Sequence, residues 1–409
     1  MGKKLTERIK YWSQLFLLPV YGFSFFVPRS KKIWAFGCSF GLRFSENPRY
    51  LYLYASQNKS DYIRPIWISH DKEIVRFLQE HCYESYYYHS WMGIWYSLRA
   101  KVYIFDNYSK DINFWLSGGA VKINLWHGSG NKKTNYDNVF DKVRHPKNSW
   151  EKYCTWLRRL SDEKPYHYTL ATSEAMAEIF VSAFATDRDH IIIEGYPRND
   201  MLFEMKESHI ANVYTQLEQT LLNSIEEIIK QKHKILAYMP TFRDSENVFF
   251  EVMNLNMFNI FLKQHNITLI TKLHPKSKLK AEFEKIHYSN ILNADTKIDI
   301  YSFLNKVDVL ITDYSSVYSD YMLLNRPVIA FHYDWELYSV NTRDSYIEHD
   351  VYMPEQKAKT MAELMESILK VMASDSSQDK REESRARIFQ TVDGRASERL
   401  FEKIYNLIS

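Results

Sequence analysis

Hydroxyl and carboxyl side chains stand at one point of the sequence where a helix is expected to begin. Asp313, Ser315 and Ser316 follow the apolar run 309–311, and a second apolar run starts at Val328. This order predicts a strand, a turn, a helix of about three turns and another strand of a parallel sheet. Hydroxyls and free backbone N–H groups at a helix N-terminus suit a phosphate group. The turn therefore predicts a nucleotide or phosphate ligand at the carboxyl end of the sheet.

A histidine stands at the end of another predicted strand. His127 follows the run 121–126 and precedes Gly128, Ser129 and Gly130. The chain has only 11 glycines, so their concentration here indicates a backbone geometry or a close ligand approach that needs them. A histidine in this place can take a proton from a hydroxyl near neutral pH. The alternative is a histidine that only hydrogen-bonds its own loop.

Two further strand ends, in the second half of the chain, carry groups that bind anions. Thr241 and Arg243 follow the run 235–238 and can hydrogen-bond phosphate oxygens, and Asp244 can orient Arg243. His274 ends the run 269–273. A lone histidine at the rim of a sheet is structural in most proteins. The carboxyl ends of parallel strands meet at one edge of a sheet. These two strand ends and the serine turn at 315–316 therefore predict one shared anion pocket.

Two other positions carry weaker signals. Arg198 and Asn199, with Asp200, follow the run 191–194. The guanidinium offers a planar fork for an anion, and Asn199 and Asp200 are residue types that cap helices. A turn with an Asp cap explains this segment equally well. Asp320, five residues past Ser315, is predicted to lie about one turn further into the helix, where it could face the same ligand.

Composition excludes several classes of protein. The 409 residues, 45% hydrophobic and 25% charged, are those of a globular chain long enough for two domains. The net charge of +3 is too small to predict a nucleic-acid partner. Cys38, Cys82 and Cys154 lie too far apart for a metal or disulfide spacing, which predicts a reducing cytosol. No carboxylate pair has a metal-binding spacing, so no bound metal is predicted.

Short apolar runs alternate with helix-compatible stretches, which predicts doubly wound α/β structure. The runs are 33–36, 64–68, 102–105, 121–126, 168–171, 191–194, 235–238, 269–273, 309–311 and 328–331. We predict an N-terminal segment (1–30), a first Rossmann-like domain (31–205), a linker helix (206–232), a second Rossmann-like domain (233–385) and a closing helix (386–409). Two open α/β domains place a ligand cleft between their facing sheet edges.

The amino terminus is basic and then aromatic. Lys3, Lys4, Arg8 and Lys10 precede the aromatic and apolar stretch 11–27. This stretch lacks the cleavage site of a signal peptide, and it is short and polar for a membrane-spanning helix. We predict a segment that lies on an anionic membrane surface, with a helix packed on the protein as the alternative. The stretch 150–168 repeats the pattern and is either a second membrane contact or a solvated helix.

Six motifs in this order resemble the CDP-glycerol glycerophosphotransferase family, whose members prime or polymerise wall teichoic acids and related capsule polymers. The resemblance spans residues 28–338 and rests on FVPRSKKIWAFG, INLWHGSGNKK, EGYPRND, YMPTFRD, TKLHP and ITDYSSVYSDY followed by RPVIAF. It implies a GT-B-like α/β fold with two Rossmann-like domains whose parallel sheets face a central cleft. It also implies a nucleotide site in the second domain and peripheral attachment to the cytoplasmic face of the membrane.

The resemblance assigns roles to residues that match its motifs. His127 and His274 correspond to the family's two motif histidines, Ser315 and Ser316 to its paired serines, and Arg243 to its PTFRD arginine. His127 is expected to act as general base on an acceptor hydroxyl. His274, Arg243 and the N–H groups near the serines are expected to hold the pyrophosphate. The implied substrates are CDP-glycerol and a lipid-linked saccharide or growing polymer, with no cofactor.

Several alternatives stay open at the level of sequence. The loop after His127 departs from the family pattern at Gly130 and Asn131, while Ser129 keeps a hydroxyl, so the acceptor is not fixed. CDP-ribitol or another CDP-alditol is the nearest alternative donor. A GT-B glycosyltransferase that uses a nucleotide sugar and a non-catalytic binding module are more distant alternatives. Priming against polymerising activity and self-association stay open as well.

Overall fold

Two parallel sheets, one in each half of the chain, form the framework of the protein. The structure is a computed structural model that describes residues 9, 11–162, 166–203, 213–242, 247–274, 277, 279, 283, 287–336 and 344–409. Within these residues the first half forms a seven-stranded sheet and the second half a six-stranded sheet. All further statements about structure concern this part of the chain.

The strands of the first sheet run parallel, so the loops that follow them lie at the same edge of the sheet. They are β1 (Ser30–Phe36), β2 (Arg64–Ser69), β3 (Ser85–Tyr87), β4 (Ala100–Phe105), β5 (Val121–Asn124), β6 (Tyr168–Ala171) and β7 (Ile191–Ile193). Their order in the sheet is β3-β2-β1-β4-β5-β6-β7. The direction of the strand order reverses between β1 and β4. The crevice outside the carboxyl ends of strands at such a reversal is where open α/β sheets bind ligands.

The second sheet is built in the same way. Its strands are β8 (Lys234–Tyr238), β9 (Ile267–Thr271), β10 (Ile291–Asn293), β11 (Val309–Thr312), β12 (Val328–Phe331) and β13 (Gln356–Ala358). Their order is β10-β9-β8-β11-β12-β13, with the reversal between β8 and β11. The strands β9, β11 and β12 are buried along their whole length, as expected for a parallel sheet that is covered on both faces.

Helices connect the strands and cover the sheets. They are α1 (Leu18–Ser24), α2 (Glu46–Asn58), α3 (Lys72–Glu80), α4 (Trp91–Arg99), α5 (Ser149–Asp162), α6 (Glu174–Ala183), α7 (Gln216–Lys230), α8 (Asn247–Val252), α9 (Leu255–Gln264), α10 (Val317–Tyr321), α11 (His349–Tyr352), α12 (Met361–Ala373), α13 (Gln378–Ile388) and α14 (Ala396–Ile408). Side chains cap several N-termini; for example, Asp71 accepts a hydrogen bond from the Glu73 N–H of α3 at 2.8 Å.

The structure contains strands at all ten predicted places and three more that the sequence did not indicate. The additional strands β3, β10 and β13 all lie at sheet edges and have three residues each. Their sequences, SYY, ILN and QKA, lack a longer apolar run. An edge strand has one neighbour and less surface to bury, so its sequence carries little hydrophobic signal.

Two predicted helical regions differ in detail. The helix after the serine turn is shorter than three turns, because α10 passes into a 3-10 turn at Met322–Leu324 that ends at Asn325 with φ +47°. The predicted closing helix is α14 alone, separated from α13 by residues 389–395. In the linker region, α7 begins at Gln216 behind a Thr215 cap, and residues 204–212 lie outside the described part of the chain.

The charged stretch 374–387 contains α13 and is partly core. Arg381 is fully buried there, and its guanidinium pairs with Glu355 at 2.6 Å and with Asp375 at 2.7 Å. A buried guanidinium is tolerated because both carboxylates satisfy its N–H groups. The charged composition therefore did not reveal that α13 packs against segments that connect the strands of the second sheet.

The last helix returns to the first sheet. The ring of Phe401 lies 5.2 Å from that of Trp34, and the Asp200 carboxylate accepts hydrogen bonds at 2.8 Å from the backbone N–H groups of Ala396 and Ser397. Asp200 therefore caps a helix, as its residue type suggested, although that helix is almost 200 residues away in sequence. Helix α14 thus packs against the first half of the chain, although it follows the second sheet in the sequence.

The aromatic amino-terminal stretch packs partly on the first domain. Tyr21 stacks on Phe114 with 4.7 Å between ring centroids, and the Gly118 N–H donates to Ser24 Oγ at 2.9 Å. None of the helices in the described ranges has the length and apolar character needed to span a bilayer. The basic residues at positions 3, 4, 8 and 10, which belong to the predicted membrane segment, lie outside the described residues.

Candidate active site

His127 lies at the carboxyl end of β5, on a loop with unusual backbone geometry. The residue before it, Trp126, has φ +53°, and Gly128 after it has φ +155°. The imidazole is exposed, and its Nδ1 lies 3.2 Å from the backbone carbonyl oxygen of Asp106, at the end of β4. In the tautomer with hydrogen on Nδ1, the ring donates to this carbonyl and Nε2 keeps a lone pair. The geometry therefore fits a general base whose basic nitrogen is not the one held by the loop.

A pair of buried carboxyl groups supports this loop from below. The Asp106 side chain accepts a hydrogen bond from the Ser39 N–H at 2.9 Å, and Asp111 accepts one from the Phe40 N–H at 2.8 Å. Burial and the neighbouring Asp111 carboxyl raise the pKa of Asp106 to about 8, and burial raises the pKa of Asp111 to about 6. The two carboxyl groups tie the loops after β1 and β4 together beneath His127.

The glycines after His127 allow this loop to touch the second domain. A Cβ atom added to Gly130 would lie 3.2 Å from Cβ of Ser316, and one added to Gly128 would lie 3.5 Å from Ser316 Cβ and Oγ. Larger residues would push the two loops apart, which explains why a chain with so few glycines has two here. The histidine loop of the first sheet and the serine turn of the second sheet therefore meet in one cleft.

The serine turn lies at the carboxyl end of β11. Ser316 is exposed and Ser315 is half-buried. Asp313, which is buried, accepts hydrogen bonds from the Thr241 N–H at 2.8 and 3.1 Å, and so joins the turn to the end of β8. The residue types that the sequence placed at two strand ends are thus in direct contact.

The third strand end of the second sheet belongs to the same group. The ring of His274, which is exposed, lies 4.9 Å from the ring of Phe242, next to Thr241. The ends of β8, β9 and β11 are therefore linked to one another, and Ser316 at the end of β11 lies beside the loop of His127. The predicted residues Arg243 and Asp244 lie outside the described part of the chain.

Arg198 occupies a different place from that expected of a ligand-binding residue. It is 2% exposed, and its guanidinium donates to Asp320 Oδ2 at 2.6 Å, to a Glu46 carboxylate oxygen and to the His127 carbonyl oxygen at 2.9 Å. Asp320 also accepts a 2.6 Å hydrogen bond from the Tyr301 hydroxyl. Protein carboxylates thus supply the anions that the guanidinium fork binds, which supports a role for Arg198 and Asp320 in joining the two domains behind His127.

Ser129 and Asn199 are also buried rather than open to the cleft. Ser129 Oγ lies 2.9 Å from Thr172 Oγ1 and 3.2 Å from the Tyr196 hydroxyl. The Asn199 N–H donates to the Tyr196 carbonyl at 2.9 Å. Direct contact of these two residues with substrate stays a prediction, while the hydrogen bonds of Ser129 link the loop after β5 to the loops after β6 and β7.

Sequence reasoning missed several residues of this site. Asp106 follows a predicted strand directly, so the strand-end rule that found His127 applied to it as well. Glu46 gave no such signal, because its partner Arg198 is more than 100 residues away, and Tyr301 does not follow a predicted strand. Glu46 has φ +63° and stands at the start of α2, and such backbone strain is often found at functional sites. In the described ranges, no three His, Cys, Asp or Glu residues are arranged to hold a metal ion.

A model of the CDP-glycerol:poly(glycerophosphate) glycerophosphotransferase family matches residues 20–406 of the chain. The chain belongs to this family. The match confirms the resemblance that the six motifs predicted, and it extends past them to include α14. The members of this family are named as transferases, which agrees with a cleft in which the loop of His127 lies beside the serine turn.

Relatives of the chain are named as glycerol-phosphate enzymes and as a ribitol-phosphate enzyme. The chain is 27% identical to the teichoic acid poly(glycerol phosphate) polymerase of Bacillus spizizenii over 84% of each chain. It is 26% identical to the teichoic acid glycerol-phosphate transferase of Staphylococcus aureus over 89% of this chain and 90% of the other. A teichoic acid ribitol-phosphate primase of Bacillus spizizenii is 27% identical over 71% and 70%.

Solved structures show the same fold. The wall teichoic acid polymerase TagF superposes with a TM-score of 0.72 at 21% identity, over 100% of this chain and 97% of the other. MnaA of S. aureus in complex with UDP superposes with a TM-score of 0.51 at 13% identity, over 93% and 97%. The expectation of a GT-B-like α/β fold with two parallel sheets is confirmed.

Proposed function

We propose that the chain transfers glycerol phosphate from CDP-glycerol to a hydroxyl group of a lipid-linked saccharide or growing polymer and releases CMP. Family membership supports the reaction class, and the observation that carries the proposal is the contact of the His127 loop with Ser316 across the cleft. That contact supports the proposal that His127 of one domain accepts the proton beside a phosphate held by the serine turn of the other. TagF structures have been obtained after soaking with CDPG, which is consistent with a donor site in this fold.

The proposed mechanism is an in-line displacement at the phosphorus that carries the glycerol. The acceptor oxygen forms a bond to this phosphorus, His127 Nε2 takes the acceptor proton, and the bond from phosphorus to the CMP oxygen breaks. His274 and the backbone and hydroxyl groups of Ser315 and Ser316 stabilise the charge on the phosphate oxygens. Arg243 is proposed to contribute a further cation. No cofactor takes part in the proposed reaction.

The reaction class is tested by the nucleotide that is released. The purified chain, CDP-glycerol and a lipid-linked acceptor should yield CMP together with an acceptor that has gained glycerol phosphate. A glycosyltransferase would leave the nucleoside diphosphate instead, because it cleaves the bond on the other side of the terminal phosphate. CMP release that does not depend on an acceptor, or no release at all, would contradict the proposal.

CDP-ribitol is the second candidate donor, and the ribitol-phosphate primase among the relatives is the observation that favours it. The assay therefore includes CDP-ribitol at the same concentration as CDP-glycerol. We expect a higher kcat/KM with CDP-glycerol, because the glycerol-phosphate relatives cover more of this chain. A higher kcat/KM with CDP-ribitol would assign the chain to the ribitol branch.

We also propose that the first domain binds an anionic membrane surface at the cytoplasmic face, where a soluble donor meets a lipid-borne acceptor. The two aromatic stretches found in the sequence form one surface, because Trp12 stacks on Tyr153 of α5 at 4.8 Å. Exposed aromatic rings continue this surface on both sides; they include Phe16 (84% exposed), Phe26 (82%), Phe23, Trp150 and Trp156. Such a density of exposed rings is typical of an interfacial anchor.

Replacing Phe16, Phe23 and Phe26 together with serine should reduce flotation of the chain with anionic vesicles by about 10-fold or more. Each ring removes apolar surface from water when it enters the interface, so their loss lowers the free energy of binding. The control replaces Met257 and Ile260, which are also exposed (55% and 56%) but lie on the second domain, and should float like the unchanged chain. Equal flotation of all three proteins would contradict the proposed anchor.

A further inference from the structure

Four loops at the carboxyl edge of the first sheet each bring an aromatic ring to one surface. Phe40 follows β1, His70 follows β2, Tyr88 and His89 follow β3, and Tyr108 follows β4. We call these five residues the aromatic shelf. None of them entered the sequence prediction, because aromatic residues are abundant in the chain and these are far apart along it.

The rings of the shelf form two contacting groups, one on each side of the loop after β1. Tyr88 stacks between His70 at 3.8 Å and His89 at 3.7 Å, with interplanar angles of 25° and 24°. The ring of His70 lies directly against the backbone of the loop after β1, since a Cβ atom on Gly41 would approach it to 2.4 Å. Phe40 lies 6.4 Å from Tyr108 on the other side of the same loop. The shelf thus crosses the loops of four neighbouring strands.

The shelf is held open to solvent by its backbone. Phe40 is 48% exposed although it is a large apolar residue, and it and Ser39 have φ values of +58° and +48°. A non-glycine residue in this region is strained, and here the strain serves to present an apolar ring rather than to bury it. Core packing therefore does not account for the position of Phe40.

The shelf begins beside the catalytic histidine. Ser39 N–H donates to Asp106 Oδ1 at 2.9 Å, and the carbonyl oxygen of Asp106 lies 3.2 Å from His127 Nδ1. The shelf also surrounds the crevice between β1 and β4 at which the strand order reverses, where a sheet of this kind binds its ligand. A molecule that offers a hydroxyl to His127 would extend over these rings.

We propose that the aromatic shelf binds a sugar ring of the acceptor, an inference that rests on the proposed function. The face of a sugar ring carries C–H groups that pack on aromatic rings, while its hydroxyls stay solvated or hydrogen-bonded. A polyanionic polymer would instead need cations. Lys110, whose ammonium lies 4.9 Å from the Tyr108 ring, is already paired with Asp162 at 2.7 Å. The chemistry of the shelf thus favours a saccharide over a poly(glycerol phosphate) end.

The test compares two acceptors with the same alkyl chain, dodecyl chitobioside and dodecyl glycerol phosphate, in the full chain with CDP-glycerol as donor. Phe40→Ala combined with His89→Ala should raise KM for the chitobioside about 10-fold or more, because it removes the two outer rings. The KM for dodecyl glycerol phosphate and for CDP-glycerol should stay within about twofold. Tyr62→Ala is the control, because Tyr62 is as exposed as Phe40 but lies before β2, at the opposite edge of the sheet.

Three outcomes would overturn the proposal that the aromatic shelf binds a sugar ring. These are an unchanged KM for the chitobioside, an equal rise for both acceptors, and the same rise in the Tyr62→Ala control. If the unchanged chain releases no CMP with either acceptor, the proposed function fails instead. The aromatic shelf is then tested by saturation-transfer NMR with chitobiose. Signals seen with the unchanged chain should vanish in the double variant. Persistence of the signals would contradict sugar binding by the shelf.

Discussion

Replacing His127 with alanine is expected to lower the rate of transfer about 10²–10⁴-fold, the usual contribution of a general base. The imidazole is exposed in the cleft, so its loss removes the proton acceptor without opening the core. Affinity for CDP-glycerol and the unfolding midpoint should therefore stay close to those of the unchanged chain. Initial rates of CMP release, a binding isotherm and a urea titration measure these three quantities.

His190→Ala provides the matched control, since His190 is also exposed on the first domain but lies before β7, far from the cleft loops in the topology. It should retain full activity. His127→Gln separates basicity from size, because the amide fills similar space and cannot take the proton. Near-normal turnover in both His127 variants would show that another group deprotonates the acceptor.

Replacing Arg198 with alanine is expected to have the largest effect on stability, about 3–5 kcal/mol in the free energy of unfolding. The change leaves the buried Asp320 without its 2.6 Å partner and removes the donor to the His127 carbonyl oxygen. An unpaired buried charge is far more costly than a missing surface pair. Transfer should fall as well, since the loop of His127 loses its support. Urea unfolding at neutral pH, together with CMP release, measures both effects.

Arg188→Ala is the control for loss of an arginine ion pair, because the Arg188–Glu174 pair is exposed (44% and 65%) and should contribute at most about 1 kcal/mol. The double variant Arg198→Met with Asp320→Asn removes both buried charges and should recover part of the lost stability. An Arg198→Ala variant as stable as Arg188→Ala would refute the buried cross-domain pair.

The sequence indicated the central parts of the fold because these carry strong physical signals. A central parallel strand such as β11 is buried on both faces and is therefore apolar throughout, whereas the edge strand β13, with the sequence QKA, has almost no apolar surface to bury. The length of α10 could not be read in the same way. Its end is set by Asn325 in the left-handed conformation, which tertiary packing selects rather than local propensity.

For the candidate site, residue type and place were predictable while partners were not. His127, Ser316, Thr241 and His274 all follow apolar runs, and the geometry of parallel sheets brings such strand ends to one rim. Arg198 was predicted to bind a substrate anion, but nothing local shows that it binds the carboxylates of Glu46 and Asp320 instead. Contacts between distant parts of the chain become visible only in three dimensions.

The most direct test of the central claim, that the His127 loop and the serine turn meet in a single cleft, is a disulfide across it. Gly130→Cys and Ser316→Cys are introduced together after the exposed Cys82 and Cys154 are changed to serine. The β-carbons should lie about as close as the 3.2 Å approach at Gly130 implies, within reach of the 3.5–4.5 Å that a disulfide needs after slight adjustment. The control pairs Ser316→Cys with Gly22→Cys, where nothing lies within 4 Å.

Mass spectrometry of the oxidised monomer should show the 130–316 cross-link in most molecules and no cross-link in the control. Two thiols that stay free and react independently with maleimide, in a chain that is otherwise folded, would contradict the account.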